Sequence, residues 1–127
     1  MLPMSYGRQD VVANLQCAAL LTAAFALGRA DLMRLATQDR LHQPYRMELC
    51  PLLPALLPLA GSHGVMSVTL SGAGPAVLLL TQEAEAEATQ LQAAILELAR
   101  PVSPVEILTA QLCRGSAEIS LGEQSPP

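Results

Sequence analysis

The sequence predicts a single α+β domain with two layers, helices packed on a small antiparallel sheet. Two observations lead to this fold class: stretches rich in Ala and Leu that lack Pro and Gly, and two short apolar stretches on either side of a Gly-Ala-Gly-Pro turn. The chain has 127 residues, of which 51% are hydrophobic and 14% are charged, enough for one core. We expect residues 1–121 to form this domain and residues 122–127 to be a disordered tail.

Helices are predicted throughout the first half of the chain. Arg8 to Leu27 contains no Pro or Gly and predicts a long helix that Gly28 ends in the left-handed conformation. The later part of this helix is apolar on nearly every face, so we expect it to be buried on several sides. A second helix is predicted from Asp31. It ends before "LHQPYR", which we interpret as a loop because Pro44 disfavours helical backbone at the residue before it.

A short helix and a hairpin come next. Leu52 to Ala60 predicts a helix that Gly61 closes, although Pro58 lies inside it and removes a hydrogen bond. Val65 to Leu70 and Ala76 to Leu80 predict the two strands of an antiparallel hairpin.

The last predicted elements are a helix and further strands. The periodic stretch after the hairpin predicts a helix with Thr81 as its N-cap and Pro101 as its stop. Val105 to Cys113 predicts a third strand, and "GSAEISL" predicts a fragment of a fourth. This element order is that of a ferredoxin-like, or split βαβ, sandwich that lacks its first strand. Because that strand lies inside the sheet, its absence would leave a slot lined by unpaired backbone groups.

Composition excludes several classes of partner. The net charge is −4 and the seven basic residues are all arginines at isolated positions, so no basic stripe is present for nucleic acid. No basic and apolar leader of the secretory type opens the sequence. The most apolar run, residues 49–61, is short and contains three prolines, which is unsuited to a membrane span. We expect a cytoplasmic protein that binds neither nucleic acid nor membrane.

The glycine loop between the strands could hold a phosphate or could only turn the chain. A phosphate loop opens a helix, whereas this loop continues into a strand, and Pro75 removes one N–H donor. The loop matches neither the GxGxxG nor the GK[ST] pattern. We therefore interpret its glycines as serving positive φ angles or the close approach of another backbone.

Other reactive side chains give weak signals. Cys17, Cys50 and Cys113 lack metal or disulfide spacing and are interpreted as plain thiols, so no metal site is predicted. Asp10 and Asp39 lie near predicted helix ends, where carboxylates cap or remain solvated, and neither is assigned a catalytic role.

Two motifs in this order resemble a known family. "DRLHQPYR", residues 39–46, followed by "VTLSGAGPAVLLLT", residues 68–81, is similar to the C-terminal half of the homoserine kinases, which are GHMP small-molecule kinases. "LPMSYGRQD" resembles the segment that opens the long C-terminal helix of that family. The likeness covers about residues 2 to 114.

The resemblance implies transfer of the γ-phosphoryl group of Mg-ATP to the hydroxyl of L-homoserine, on the route to threonine. It implies that Arg46 binds the substrate carboxylate, for which a planar guanidinium is suited. His42 and Gln43 are further candidates from the same segment, with His42 more simply an ordinary loop histidine. The loop that supports the active site would consist of Ser71, Gly72, Ala73, Gly74 and Pro75.

The resemblance also implies that the phosphate-binding motif and the catalytic acidic residues belong to an N-terminal half that this sequence lacks. The catalytic residues, ATP and Mg²⁺ would then lie outside this chain, which we expect to be inactive alone. The N-terminal half and a homodimer are the expected partners. Two alternatives stay open: a stand-alone binding module that pairs through its open sheet, and a GHMP kinase for another small molecule.

Overall fold

The order of helices and strands agrees with the predicted α+β class. The protein is described by a computed structural model that covers residues 2–82 and 85–112. Short 3-10 turns occur at Ala30–Leu32 and Leu57–Leu59. The elements in chain order are α1 (Arg8–Leu27), α2 (Met33–Ala36), α3 (Gln43–Arg46), α4 (Leu52–Leu56), β1 (Val65–Leu70), β2 (Val77–Thr81) and α5 (Glu85–Ala99).

Helix α1 has the predicted bounds and the predicted C-terminal glycine. Gly28 has φ 64°, and the N–H groups at this end of the helix donate to the carbonyls of Ala24 and Phe25. The expected burial on several sides is wrong for this chain alone. Ala24 is the buried residue of α1, whereas Leu15 is 65% exposed and Leu27 is 72% exposed. The helix contacts α2 along one side, and its other faces are open.

The prediction that "LHQPYR" is a loop is wrong, because this segment contains the single helical turn α3. Pro44 occupies the first turn of this helix, where a missing N–H breaks no hydrogen bond and the fixed φ favours the helix. The predicted short helix from Leu52 to Ala60 is confirmed in outline. Helix α4 gives way to the 3-10 turn at Leu57–Leu59, which contains Pro58, and Gly61 follows with φ 89°.

Among the described residues the sheet consists of β1 and β2, paired antiparallel as predicted, with Leu70 opposite Val77 and Val68 opposite Leu79. The register shifts between Val65 and Ser67. Strand β1 is buried at four of its six residues, whereas every residue of β2 is partly or fully exposed. The strand with the more continuous apolar sequence is thus the less covered one.

The core lies under the hairpin. Apolar side chains of α4, of the turn after it, of β1 and of α5 form one cluster, and Val105 and Ile107 pack on its border. Leu53 and Val65 are its most completely buried large side chains, with 0% and 2% exposed. The buried members of this cluster are Cys50, Leu53, Leu56, Leu59, Val65, Val68, Leu70 and Ile95.

Helix α5 ends where Pro101 predicts, after Ala99, whose carbonyl accepts the N–H groups of Val102 and Ser103. The prediction that Thr81 caps this helix is wrong. Thr81 is the last residue of β2 and lies opposite Val65, because pairing with β1 extends the strand past the predicted end.

The predicted third strand is absent over residues 105–112, which form neither helix nor strand. In a split βαβ sheet the last strand pairs with the first one, and the described residues before β1 form no strand that could take this place. Leu108, within the segment 105–112, is 85% exposed. The predicted fragment "GSAEISL", Cys113 and the tail at 122–127 lie outside the described residues.

A core truncation tests this packing. Leu53→Ala removes a fully buried side chain and should lower the free energy of unfolding by about 2–5 kcal/mol, through lost burial and a residual cavity. Leu49→Ala removes the same atoms at a site that is 62% exposed and serves as the matched control. Urea unfolding followed by circular dichroism measures both, and equal losses would contradict the position of the core.

Candidate functional site

The carboxylate of Asp39 organises the segment before α3. Its two oxygens together accept three backbone N–H groups and one side-chain amide. Oδ1 accepts from Leu41 at 2.8 Å, from His42 at 3.1 Å and from Asn14 Nδ2 at 2.8 Å, and Oδ2 accepts from Gln43 at 2.7 Å. Asp39 lies three residues before His42, the N-cap residue of α3, and its carboxylate binds the backbone of the turn that leads into this helix. Of the two expectations for Asp39, capping or a solvated position, the hydrogen bonds favour a local role in binding the backbone.

These hydrogen bonds stabilise the ionised form of Asp39. Burial alone would raise its pKa, but the hydrogen bonds from Asn14, Gln43, Leu41 and His42 outweigh burial and hold the pKa below its usual range. Asn14 also accepts the backbone N–H of Arg40 at 2.8 Å through Oδ1. The side-chain amide of Asn14, on α1, therefore bonds both the Asp39 carboxylate and the backbone of Arg40 in the turn at residues 39–42, which we call the Asp39 turn.

Helix α3 is tied to the sheet by a buried side chain. Gln43 is 8% exposed, and its Oε1 accepts the N–H of Leu70 at 3.0 Å. Leu70 is the last residue of β1 and directly precedes the glycine loop. Gln43 was a predicted candidate of this region, but its contact with a residue 27 positions away was not predicted.

The glycine loop is closed by its own backbone. Ser71 N–H donates to the carbonyl of Ala76 at 2.9 Å, and Gly74 N–H donates to the carbonyl of Ser71 at 3.3 Å. Gly72 has φ 63° and Gly74 has φ 83°, so both glycines serve positive φ as predicted. Two N–H groups are used within the loop and Pro75 has none, which leaves few donors for a phosphate.

Gly74 also allows close approach, by a side chain rather than by the predicted backbone. A Cβ added to Gly74 would lie 2.5 Å from the Sγ of Cys50, well inside van der Waals contact. Cys50 is buried and free, and its N–H donates to the carbonyl of Arg46 at 2.8 Å. The residues just after α3 therefore pack directly under the glycine loop.

Arg46, the predicted carboxylate ligand, is the last residue of α3. Its side-chain Nε is buried and has no hydrogen-bond partner among the residues that the structure describes. A buried, unpaired N–H of a charged group is unfavourable unless a ligand or a partner completes it. Next to it, the ring of Tyr45 meets the ring of Tyr6 edge-on at 6.0 Å, so the segment before α1 packs on the same turn.

A groove of about 380 Å³ runs between α2, the Asp39 turn and β1. Gln43, Met47 and Ser67 are among its lining residues, and the buried Ser67 hydroxyl lacks a partner within the described part of the chain. Arg34 and Arg40 line the same groove.

The remaining candidates are not brought together into a reactive group. His42 uses its backbone N–H to bond Asp39, and its side chain does not cap α3. Cys17 is a partly buried free thiol, as predicted. Within residues 2–82 and 85–112, no three His, Cys, Asp or Glu side chains converge as metal ligands.

Comparisons with known proteins give a consistent picture. A family model described as "GHMP kinases C terminal" matches residues 20–97, more than half of the chain. The chain is 47% identical to a homoserine kinase of Deinococcus radiodurans over 88 residues, which are 69% of this chain and 29% of that protein. It is 47% identical to a homoserine kinase of Solibacter usitatus over 78 residues, 61% of this chain and 25% of that protein.

A solved structure has the same fold. The crystal structure of homoserine kinase from Cytophaga hutchinsonii matches with a TM-score of 0.70 at 21% identity, over 80% of this chain and 32% of that chain. This likeness confirms the predicted α+β fold of the ferredoxin-like type. The chain spans less than a third of the length of these relatives.

Substitution of the two loop glycines separates backbone strain from packing. Gly72→Ala meets no atom within 4 Å, so its positive φ alone should cost about 1–2 kcal/mol. Gly74→Ala adds the clash with Cys50 and should cost about 2–5 kcal/mol. Urea unfolding of both variants in wild-type and Cys50→Ala backgrounds measures the difference between their losses of unfolding free energy. Because Cys50→Ala removes the thiol, this difference should become smaller in that background. An unchanged difference would contradict the contact between Gly74 and Cys50.

The hydrogen bonds of Asp39 predict a pH dependence. A lowered pKa in the folded state contributes stability that is complete above the unfolded pKa of about 3.9 and is lost as the pH falls through the folded pKa. Asp39→Asn replaces one acceptor by an NH₂ group and should cost about 1–3 kcal/mol near neutral pH. This difference should shrink below about pH 4.

Urea unfolding of wild type and Asp39→Asn between about pH 3 and pH 7 measures the effect. Asp10→Asn is the matched control, because Asp10 makes a solvent-exposed ion pair with Arg40 at 3.6 Å that should contribute little. A pH-independent difference between wild type and Asp39→Asn would contradict the role of the Asp39 charge.

Proposed function

Because the chain belongs to the GHMP kinase C-terminal family, as its two motifs predicted, we propose that it is the C-terminal part of an ATP-dependent kinase for L-homoserine. In this proposal Arg46 binds the carboxylate of homoserine. The loop Ser71–Pro75 borders the site and supports the phosphate-binding part of the protein. The relatives named homoserine kinase, at 47% identity, support this substrate over other small alcohols.

The observation that carries the proposal is the buried Nε of Arg46. A guanidinium binds a carboxylate through two parallel N–H groups, and one of these is commonly Nε. In this chain Nε is held out of water without a partner among the described residues, at the end of a helix that Asp39 and Gln43 fix in place. A substrate carboxylate would satisfy it.

In this proposal ATP and Mg²⁺ are bound by the N-terminal half. Two N–H groups of the glycine loop, those of Ser71 and Gly74, bond within the loop, and no cluster of three potential metal ligands occurs in the described ranges. Phosphoryl transfer depends on positioning and on neutralisation of the phosphate charge, so those groups would come from the N-terminal half. Homoserine kinases use ATP, and this chain would contribute the amino-acid end of the site.

The proposed partner is that N-terminal half. Three surfaces support it: the outer edge of β2, the segment 105–112, which forms neither helix nor strand, and the open faces of α1. A strand inserted beside β2 would pair its edge and give residues 105–112 a neighbour. In this proposal the domain runs to residue 121.

Helix α1 is long and apolar enough to cross a bilayer by length and composition, a test that core helices also pass. We attribute its exposed apolar side chains to contact with the missing half and propose a cytoplasmic location. A homodimer through α1 is the other arrangement that would cover them. Sedimentation of this chain joined to an N-terminal kinase portion distinguishes the two arrangements. A monomer would support contact with the N-terminal half, and a dimer would support pairing through α1.

The proposal is tested by joining the chain to the N-terminal portion of the Deinococcus radiodurans homoserine kinase, in place of its matching 88-residue region. The joined protein should form phosphohomoserine from ATP and homoserine, whereas the isolated chain should not. Arg46→Ala should raise the KM for homoserine by about 100-fold and leave the KM for ATP within about twofold, because the lost contact involves only the amino acid.

Two variants complete the design. Arg46→Lys keeps the charge but loses the two-pronged contact, so its KM for homoserine should lie between those of wild type and Arg46→Ala. Arg8→Ala removes an exposed arginine at the start of α1 and should leave both KM values unchanged. An unchanged KM for homoserine in Arg46→Ala would overturn the role of Arg46.

The same assay separates the alternatives. Turnover of another small alcohol without turnover of homoserine would indicate a GHMP kinase with a different substrate. A folded joined protein that phosphorylates no substrate, together with concentration-dependent self-association of the chain, would indicate a stand-alone binding module.

A further inference from the structure

The side chain of Gln43 makes a contact that the proposed function does not explain. Gln43 is 8% exposed, and its Oε1 accepts the N–H of Leu70 at 3.0 Å. Leu70 lies opposite Val77 of β2, but its N–H donates to the side chain of Gln43 and not to β2. The glutamine therefore occupies the outer edge of β1 at the residue where the glycine loop begins.

This hydrogen bond is one of two contacts that join the segment around Arg46, residues 43–50, to the glycine loop. We call this segment the Arg46 turn. The second is the Sγ of Cys50, which packs against Gly74 so closely that no Cβ fits there. Along the chain, Gln43 precedes Arg46 and Cys50 follows it, and Cys50 N–H donates to the Arg46 carbonyl. Arg46 thus lies between two points that are fixed to opposite ends of the loop.

The two links differ in chemistry. The packing of Cys50 on Gly74 has no directional requirement, whereas the hydrogen bond from Leu70 to Gln43 fixes both distance and angle. Gln43 is itself held from behind, because its backbone N–H donates to Asp39 at 2.7 Å. The path Asp39, Gln43, Leu70 is a continuous chain of hydrogen bonds from the substrate-binding turn to the first residue before the loop.

We propose that Gln43 is a positioning residue for phosphoryl transfer. Through the Leu70 N–H it sets the Arg46 turn at a fixed distance from Ser71–Pro75, so that a carboxylate held by Arg46 places the substrate hydroxyl correctly relative to the phosphate site. The inference rests on the proposed function and goes beyond it, since it assigns Gln43 a role that acts through Leu70 and not through contact with substrate or nucleotide. Misplacement of a bound reactant by a fraction of a bond length is enough to slow transfer.

The structural half of the proposal is tested on the isolated full chain. Gln43→Met keeps the length and the apolar volume but removes the acceptor, and Gln43→Glu keeps an acceptor. Gln9→Met is the matched control at an exposed position on α1. Amide hydrogen exchange of ¹⁵N-labelled protein should show faster exchange at Leu70, by about tenfold or more, in Gln43→Met only.

The functional half uses the joined kinase described above. Gln43→Met should lower kcat/KM for homoserine by about tenfold or more with the KM for ATP within about twofold. Gln43→Glu should restore kcat/KM to within about threefold of wild type. If Gln43 has a purely structural role, Gln43→Met should lower kcat only through loss of active protein. Both KM values and the Leu70 exchange rate would then be unchanged in the folded fraction. That result would overturn the proposal.

The two halves keep separate failures apart. If the wild-type joined protein is inactive, the proposed function fails, and the exchange experiment still decides whether Gln43 fixes the loop. If Gln43→Met does not fold, Gln43→Glu decides: protection of Leu70 with near-normal kcat/KM supports the proposal, and protection with a tenfold loss contradicts it.

Discussion

Both oxygens of the Asp39 carboxylate accept hydrogen bonds, and the geometry of the site depends on them. Three consecutive backbone N–H groups, from Leu41 to Gln43, turn toward this one side chain and start a helix in a segment that contains a proline. The side chain of Asn14 joins the same carboxylate to α1. Without this charge, the turn that ends in Arg46 would lose its fixed start, and Gln43 would lose its alignment with β1.

The sheet shows a second constraint, which this chain does not satisfy by itself. Strand β2 is apolar at most positions yet more exposed than β1, and residues 105–112 lie beside the core and form neither helix nor strand. In the proposed complete protein, one strand of the N-terminal half would lie between them and explain both features. The same half would cover the open faces of α1. The chain spans less than a third of the length of its relatives.

Local signals in the sequence were sufficient for elements that depend on local interactions. The bounds of α1, its glycine cap and the hairpin follow from periodicity and from Gly28 and Gly74. The sequence was insufficient where a distant group decides. The preference against helix before Pro44 is weak, and four hydrogen bonds to Asp39 overcome it. The Gln43 to Leu70 contact joins residues 27 apart, so no local pattern could have shown it, although an Asp just before "LHQPYR" is a recognisable capping signal.

The proposed role of Arg46 is to hold the carboxylate of homoserine at the end of α3, which packs against the glycine loop. A crystal structure of the joined kinase with homoserine bound would test this role most directly. We expect the substrate carboxylate to lie about 2.7–3.2 Å from Nε and from one terminal nitrogen of Arg46, with the Leu70 to Gln43 hydrogen bond intact. A carboxylate bound elsewhere, with Nε of Arg46 still unpartnered, would contradict it.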